Sequence, residues 1–118
     1  MQSEVTIVIS NYNYANFVSS SIESCLAQTY PCSIIVVDDA SSDNSWDLIQ
    51  SYVKDGITAV RLKENSGGNA RGKNIGICLS GTKYITCLDS DDMLSPNSIE
   101  TRLNAFSDDI DFVQGWSI

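Results

Sequence analysis

The chain alternates between short apolar runs of strand length and segments in which apolar residues recur at helical spacing. The run 5–9 is β-branched at every position, which is typical of a strand that is buried on both faces of a parallel sheet. Further strands are predicted at 34–37, 58–62, 83–88 and 111–115. Strands that alternate with helices are joined by right-handed crossovers, so the pattern predicts a parallel sheet with helices on both faces.

Helices are predicted in the segments between these strands. The third helix opens from a glycine-rich loop at 65–76, and the fourth follows the helix-start signal Ser95-Pro96. The apolar stripes of the first, second and fourth helices are predicted at Phe17, Val18, Ile22, Cys25 and Leu26, at Trp46, Ile49 and Val53, and at Ile99, Leu103 and Phe106.

Polar residues follow three of the predicted strands at the point where each strand ends. Residues 10–13 follow the first strand, Asp38 and Asp39 follow the second, and residues 89–92 follow the fourth. The carboxyl ends of parallel strands meet at one edge of the sheet, where open α/β sheets bind their ligands. We therefore expect these three groups to line one crevice.

Three carboxylates, Asp89, Asp91 and Asp92, crowd into four positions after the fourth strand. Carboxylates this close repel one another, so they must be solvated, partly protonated or neutralised by a cation. An oxygen-rich cluster suits Mg²⁺ or Mn²⁺, which take one or two carboxylates and leave other positions to water and phosphate. An acidic turn that binds no ion is the alternative that these residues leave open.

The glycine-rich loop lies just before the fourth strand, so its helix should run back beneath the same crevice. The segment carries Gly67, Gly68, Gly72 and Gly76. Backbone without side chains can approach a ligand closely, and Arg71 and Lys73 supply the positive charge that a phosphate attracts. The same two side chains also fit a solvated helix face.

The composition is that of one globular domain, since the 118 residues are 42% apolar and 19% charged. A net charge of −8 argues against general nucleic-acid binding, and the lack of histidine excludes an imidazole base or metal ligand. The four cysteines form no Cys-x-x-Cys motif, which favours a reducing setting. No apolar run reaches the roughly 18 residues that span a bilayer. We expect a cytoplasmic domain, located at the cytoplasmic face of a membrane in the full-length protein.

Four motifs, taken in order and spacing, resemble the N-terminal half of the family 2 glycosyltransferases of the GT-A fold. They lie at 8–13, 36–43, 65–68 together with 73–76, and 88–92. The resemblance implies a Rossmann-like, three-layer α/β/α fold with a mostly parallel sheet. It also implies a nucleoside-diphosphate sugar donor, UDP- or GDP-linked, and inverting transfer to a saccharide or lipid-linked acceptor.

The resemblance assigns the nucleotide base to the ends of the first two strands. Ser10, Asn11 and Tyr12 would line the base, and Asp39 would accept a hydrogen bond from it. The family usually has Pro-Thr where this chain has Ser10-Asn11. Asp38 is then expected to brace the loop that follows it.

The resemblance assigns the diphosphate and the metal ion to the third and fourth motifs. Asp91 would lie beside the ribose and the metal, Asp92 would be the metal ligand nearest the diphosphate, and Asp89 would support them. Arg71 and Lys73 would contact phosphate. Lys73 stands where the family usually has Arg, and lysine keeps the charge but lacks the bidentate fork.

Family members place the acceptor site and the general base downstream of these motifs. We therefore expect residues 1–118 to form one nucleotide-sugar-binding domain, truncated at its C-terminal end, with the catalytic base beyond residue 118. Such a fragment would bind donor, transfer no sugar and tend to form homo-oligomers. The alternatives are a non-catalytic nucleotide-sugar-binding module and a receiver-type signalling domain, although a receiver has its acids after the first and third strands.

Overall fold

The computed structural model describes residues 4–67 and 70–105. In chain order its elements are β1 Val5–Asn11, α1 Ala15–Leu26, β2 Ser33–Asp38, α2 Ser45–Gln50, a 3-10 turn at Val53–Asp55, β3 Thr58–Arg61, α3 Ala70–Leu79, β4 Tyr84–Asp89 and α4 Ser98–Asn104. The four strands predicted in these ranges are confirmed, whereas the strand predicted at 111–115, like Phe106, lies outside the described residues. In those ranges no helix is both long and apolar enough to cross a bilayer.

The four strands form one parallel sheet in the order β3-β2-β1-β4. Ser10, near the end of β1, lies opposite Val37 of β2 on one side and Asp89 of β4 on the other. The chain runs from β1 outward to β3 and then returns to the far side of β1, so the strand order reverses between β1 and β4. Open α/β sheets bind ligands beyond the carboxyl ends of the strands at such a point.

Helices cover both faces of the sheet. Alternate residues of β1, including Ile7 and Ile9, pack in the main apolar core with Ile22 of α1 and Ile49 of α2. On the opposite face α3 lies against Val8 and its neighbours. The predicted Rossmann-like, three-layer α/β/α architecture is therefore confirmed.

Two glycines of α3 face the sheet rather than a ligand. A Cβ atom at Gly76 would overlap the Val8 side chain, and one at Gly72 would lie 3.5 Å from Ser10 Cβ and 3.6 Å from Val37 Cγ1. Both glycines are buried. The expectation that these positions expose backbone to a ligand is therefore wrong, because their missing side chains allow the helix to approach β1 and β2 closely.

Among residues 4–67 and 70–105, three positions of the predicted apolar stripes are exposed. Val53 is 49% exposed because α2 ends at Gln50 and the 3-10 turn breaks the helical spacing after Ile49. Phe17 is 51% exposed in the first turn of α1, where its ring makes an edge contact with Tyr14 at 6.1 Å between centroids. Leu26, at the end of α1, is also exposed. The stripes of these helices are narrower than the sequence predicts.

Candidate functional site

A cleft of about 490 Å³ opens between the ends of β1 and β4, where the strand order reverses. Its walls are Ser10, Tyr12, Asn13, Tyr14, Asp89, Ser90 and Asp91. The Ser90 backbone N–H donates to the Ser10 carbonyl at 3.2 Å, which ties the turn after β4 to β1. The polar groups predicted after the first and fourth strands therefore meet at one site, whereas Asp38 and Asp39, which follow the second strand, are not among its walls.

The three base-lining candidates on β1 and its following loop have different surroundings. Ser10 is buried at the floor of the cleft, and its hydroxyl has no hydrogen-bond partner among the described residues. Tyr12 is exposed on the cleft wall. Asn11 is buried outside the cleft walls, and its side-chain amide donates to Asp38 Oδ1 at 2.9 Å. Asn11 therefore contributes to the site through β2.

Asp38 is fully buried at the end of β2 and is surrounded by donors. Besides Asn11, it accepts hydrogen bonds from the Ser41 backbone N–H at 3.0 Å and the Ser41 hydroxyl at 2.6 Å. Arg61 Nε lies 3.9 Å from Asp38 Oδ2. Asp38 braces the loop after β2, as expected from the sequence.

The loops after β1 and β2 are bound to each other. Asn13 adopts a left-handed backbone conformation, with φ of 56°, and its side-chain oxygen accepts from the Ser42 N–H at 2.8 Å and the Asp43 N–H at 3.2 Å. In return the Ser41 hydroxyl accepts from the Asn13 N–H at 2.9 Å. These bonds hold the wall of the cleft that carries Tyr12 and Asn13.

Asp39 faces the loop that precedes α3. Its carboxylate accepts from the Ser66 N–H at 2.9 Å and from the Ser66 hydroxyl at 2.8 Å. The Asn65 amide donates to the Asp39 carbonyl at 3.1 Å and to the carboxylate at 3.4 Å. Asp39 is itself 6% exposed. A carboxylate has about four lone-pair positions, so these bonds leave it acceptor capacity for a further N–H donor.

The three acids after β4 form a tight group. One carboxylate oxygen from each of Asp89, Asp91 and Asp92 lies within 4.8 Å of the others. The Asp92 N–H donates to the Asp89 carbonyl at 2.9 Å, which closes the turn. Burial raises the pKa of Asp92, and the neighbouring negative charges of Asp91 and Asp89 raise it further. The turn therefore holds the carboxylates together despite their repulsion.

One cation reaches this group from α3. Lys73 Nζ lies 3.4 Å from Asp89 Oδ1. That oxygen is shielded from solvent and receives no hydrogen bond from the described residues. Arg71 instead lines a groove of about 660 Å³ with Ser66 and Asn74. Residues two apart on a helix point in different directions, so only Lys73 of the two predicted phosphate ligands lies at the acidic group.

The donor set fits a hard divalent ion. All three side chains present oxygen, the oxygens are mutually close, and Asp89 Oδ1 is a shielded acceptor that lacks a hydrogen bond. Mg²⁺ and Mn²⁺ are bound by carboxylate oxygens at sites of this kind. Asp89, Asp91 and Asp92 are therefore the residues that would hold such an ion.

Sequence reasoning missed two contributors to the site, Tyr14 and Ser66. Tyr14 lines the cleft, and the available signal is that it continues a run of polar and aromatic residues after β1. Ser66 lies within a predicted loop motif, yet no sequence signal indicates that both its N–H and its hydroxyl bind Asp39.

The model of the family described as Glycosyl transferase family 2 matches residues 6–118. The chain belongs to this family. Glycosyltransferase GlyG of Streptococcus pneumoniae is 39% identical over 103 residues, which are 86% of this chain and 34% of that protein. The Escherichia coli protein WfaP, described as UDP-Glc:alpha-D-GlcNAc-diphosphoundecaprenol beta-1,3-glucosyltransferase, is 34% identical over 101 residues, or 85% of this chain and 40% of WfaP. The chain spans about a third of the length of the first curated relatives it matches.

Two solved structures of other proteins have the same fold as this chain. Staphylococcus aureus TarS 1-349 in complex with UDP superposes with a TM-score of 0.80 at 21% identity, covering 86% of this chain and 31% of TarS. The mannosyltransferase PcManGT of Pyrobaculum calidifontis, in complex with GDP-Man and Mn²⁺, superposes with a TM-score of 0.71 at 22% identity. The match covers 80% of this chain and 29% of PcManGT. The predicted GT-A fold is thus confirmed.

Proposed function

We propose that this protein is an inverting glycosyltransferase and that its cleft binds a nucleoside-diphosphate sugar, UDP- or GDP-linked, together with Mg²⁺ or Mn²⁺. The observation that carries the proposal is the group of three carboxylates beside Ser10, at the point where the strand order reverses, in a family 2 chain. TarS with UDP and PcManGT with GDP-Man and Mn²⁺ support the same ligand class.

In this proposal the base occupies the side of the cleft nearest β1 and β2. Ser10 and Tyr12 contact the base directly, and Asn11 acts through its bond to Asp38. Asp39 accepts a hydrogen bond from the base through the acceptor capacity that Ser66 leaves free. The two bonds from Ser66 orient that carboxylate before the ligand arrives.

The diphosphate occupies the β4 side. Asp89, Asp91 and Asp92 would hold the ion, with Asp91 toward the ribose, Asp92 toward the diphosphate and Asp89 in support. When bound there, the ion supplies Lewis-acid neutralisation of the leaving diphosphate. Lys73 adds a positive charge on the same side, and Arg71 would reach a phosphate from the neighbouring groove.

The acids described above are all committed, so we place the general base beyond residue 118. Asp38 and Asp39 hold loops, and the β4 acids hold the ion. A base must reach the acceptor hydroxyl that it deprotonates. The 118-residue chain should therefore bind donor without transferring sugar to a saccharide or lipid-linked acceptor. WfaP, whose name includes a diphosphoundecaprenol, supports a lipid-linked acceptor. We place the full-length protein at the cytoplasmic face of a membrane.

The test is a thermal-shift panel of UDP, GDP and pyrophosphate, each with Mn²⁺ and with chelator. We expect one nucleotide to raise the melting temperature with Mn²⁺ and to have little effect with chelator. The matched control is Asp47→Asn, which removes an exposed carboxylate on α2 and should respond like the wild type. No stabilisation by any nucleotide with Mn²⁺ would contradict the proposal.

A transfer assay separates donor binding from catalysis. The chain is incubated with the sugar nucleotide that it binds, Mn²⁺ and a mixed pool of glycan and lipid acceptors. We expect slow donor hydrolysis at most, because general-base assistance alone is worth about 10²- to 10⁴-fold. Transfer at about 1 per second or faster would show that the base lies within these residues.

A further inference from the structure

We propose that Lys73 is an internal counter-ion of the acidic group, and that a divalent ion must displace its ammonium from Asp89 before the group can bind the metal fully. The inference rests on the metal site of the proposed function. It adds to that site a residue which determines how tightly the metal ion binds without nucleotide.

The ammonium of Lys73 lies on one of the three carboxylates that the metal ion would also use. Lys73 Nζ lies 3.4 Å from Asp89 Oδ1, the shielded oxygen that receives no hydrogen bond from the described residues. Among residues 4–67 and 70–105, no other Lys or Arg nitrogen lies within 4.0 Å of a carboxylate of Asp89, Asp91 or Asp92. A metal ion on the three carboxylates would therefore meet the ammonium at Asp89.

The backbone of Lys73 belongs to a helix that is packed closely on the sheet. Gly72 lies against Ser10 and Val37, and Gly76 lies against Val8, so α3 is held close to the sheet on either side of Lys73. The side chain of Lys73 is 34% exposed. Its flexible four-carbon stem can swing toward solvent. Displacement is thus a side-chain movement on a fixed helix.

Electrostatics decides between the two cations. A divalent ion is attracted to the carboxylates about twice as strongly as an ammonium at the same distance, but the two cations repel each other there. A diphosphate changes the balance because it offers Lys73 a second anion while also binding the metal. Metal alone should therefore bind weakly, and metal and nucleotide should strengthen each other's binding.

The experiment titrates Mn²⁺ into the 118-residue chain without nucleotide and follows free Mn²⁺ by electron paramagnetic resonance. Lys73→Met keeps the apolar stem and removes the charge. Lys54→Met removes an exposed lysine from the 3-10 turn and matches the change in net charge. We expect Lys73→Met to bind Mn²⁺ about 3- to 10-fold more tightly than Lys54→Met, since exposed ion pairs are worth up to a few-fold and the metal carries two charges.

A second measurement repeats the titration with saturating UDP or GDP, whichever the chain binds. In the wild type the nucleotide should tighten Mn²⁺ binding more than it does in Lys73→Met, because only the wild type has an ammonium to transfer to phosphate. Lys73→Arg should keep the wild-type pattern, with Mn²⁺ alone bound no more tightly than in the wild type, since guanidinium pairs with carboxylate through two parallel bonds.

The outcomes separate this inference from the proposed function. If Lys73→Met and Lys54→Met bind Mn²⁺ equally, Lys73 does not compete with the ion and the inference is wrong while the metal site stands. If Lys73→Met binds Mn²⁺ more weakly, Lys73 assists the ion and the inference is again wrong. If no variant binds Mn²⁺ with or without nucleotide, the metal site itself fails, and the inference fails with it.

Discussion

The acids at the ends of β2 and β4 are the same residue type at the same edge of one sheet, yet their surroundings are opposite. Asp38 is fully buried and Asp39 nearly so, and each accepts hydrogen bonds from serine and asparagine. The acids after β4 are only partly buried or exposed, lie close to one another and meet one ammonium. The first pair is satisfied by the protein, whereas the second group keeps the carboxylate oxygens that would hold the proposed metal ion.

The difference arises from the residues that follow each strand. Ser41 lies three positions after Asp38 and turns back onto it, and Ser66 comes from the neighbouring loop to Asp39. After β4 the chain adds Asp91 and Asp92, and the hydroxyl of Ser90 between Asp89 and Asp91 donates to none of the three acids. A carboxylate can therefore serve the fold or a ligand according to whether nearby loops supply hydrogen-bond donors.

The largest expected effect is on stability. Asp38→Asn should lower the free energy of unfolding by about 2 to 4 kcal/mol, because the carboxylate accepts through both oxygens and an amide has only one acceptor oxygen. Its NH2 group would face either the Ser41 N–H or the Asn11 amide and Ser41 hydroxyl, and would leave buried donors unpaired. Asp91→Asn should leave stability unchanged or raise it slightly in chelator, because it removes repulsion. Urea denaturation of both variants measures the two changes in the free energy of unfolding. Equal losses in Asp38→Asn and Asp91→Asn would contradict the prediction.

The next effect concerns the ion. Asp92→Asn should abolish most of the stabilisation that nucleotide with Mn²⁺ provides, which is about 2.7 kcal/mol when ligand is at one hundred times Kd. Asp47→Asn should retain it. The measurement is the difference in unfolding free energy with Mn²⁺ and with chelator. An unchanged difference in Asp92→Asn would mean that the ion, if bound, does not depend on this carboxylate.

A smaller effect separates recognition of the base from support of the loop. Asp39→Ala should weaken binding of the nucleotide about tenfold and binding of pyrophosphate little, since a lost base contact of about 1.4 kcal/mol leaves the phosphate interactions intact. Ser66→Ala keeps the carboxylate but removes one of its donors, so it should weaken the nucleotide less. Equal losses for both ligands in Asp39→Ala would indicate a structural role alone. Calorimetric titration provides the affinities.

The smallest effect is the pH dependence of metal-free stability. The pKa of Asp92 is raised, so the folded state binds more protons than the unfolded state, and this contribution to stability is lost as pH rises through the folded pKa. Asp43, in the loop after β2, behaves oppositely. Burial raises its pKa, but hydrogen bonds from Ser45 and from the Ala15 N–H outweigh this and lower it. Its contribution is lost as pH falls through the folded pKa.

The pH prediction is checked with urea midpoints between about pH 3 and pH 7, a range that spans carboxylate titration. The midpoint of the wild type minus that of Asp92→Asn should decrease as pH rises, whereas the midpoint of the wild type minus that of Asp43→Asn should increase. Two slopes of the same sign would show that Asp43, after β2, and Asp92, after β4, do not differ in this respect.

The strands and the acidic group were predictable because both are local patterns. The β-branched run of β1 does not fit the pattern of a surface helix, and three acids within four positions repel one another in any fold. The contact between Lys73 and Asp89 was not predictable, since it joins residues 16 positions apart and depends on how α3 crosses the sheet. The prediction that the glycines of α3 face a ligand was wrong. A missing side chain allows close approach of a ligand and close packing of a helix equally, so the sequence does not distinguish the two.

The close approach of α3 to β1 constrains how the sequence can change over evolution. Because a methyl group at Gly76 would overlap Val8, neither position can enlarge on its own without moving the helix. An alanine at position 76 should be inherited together with a smaller residue at position 8, so the two positions should covary among close relatives. Lys73 lies three residues before Gly76 on the same helix, so lineages that keep this pair also preserve the distance from the helix to the acids of β4.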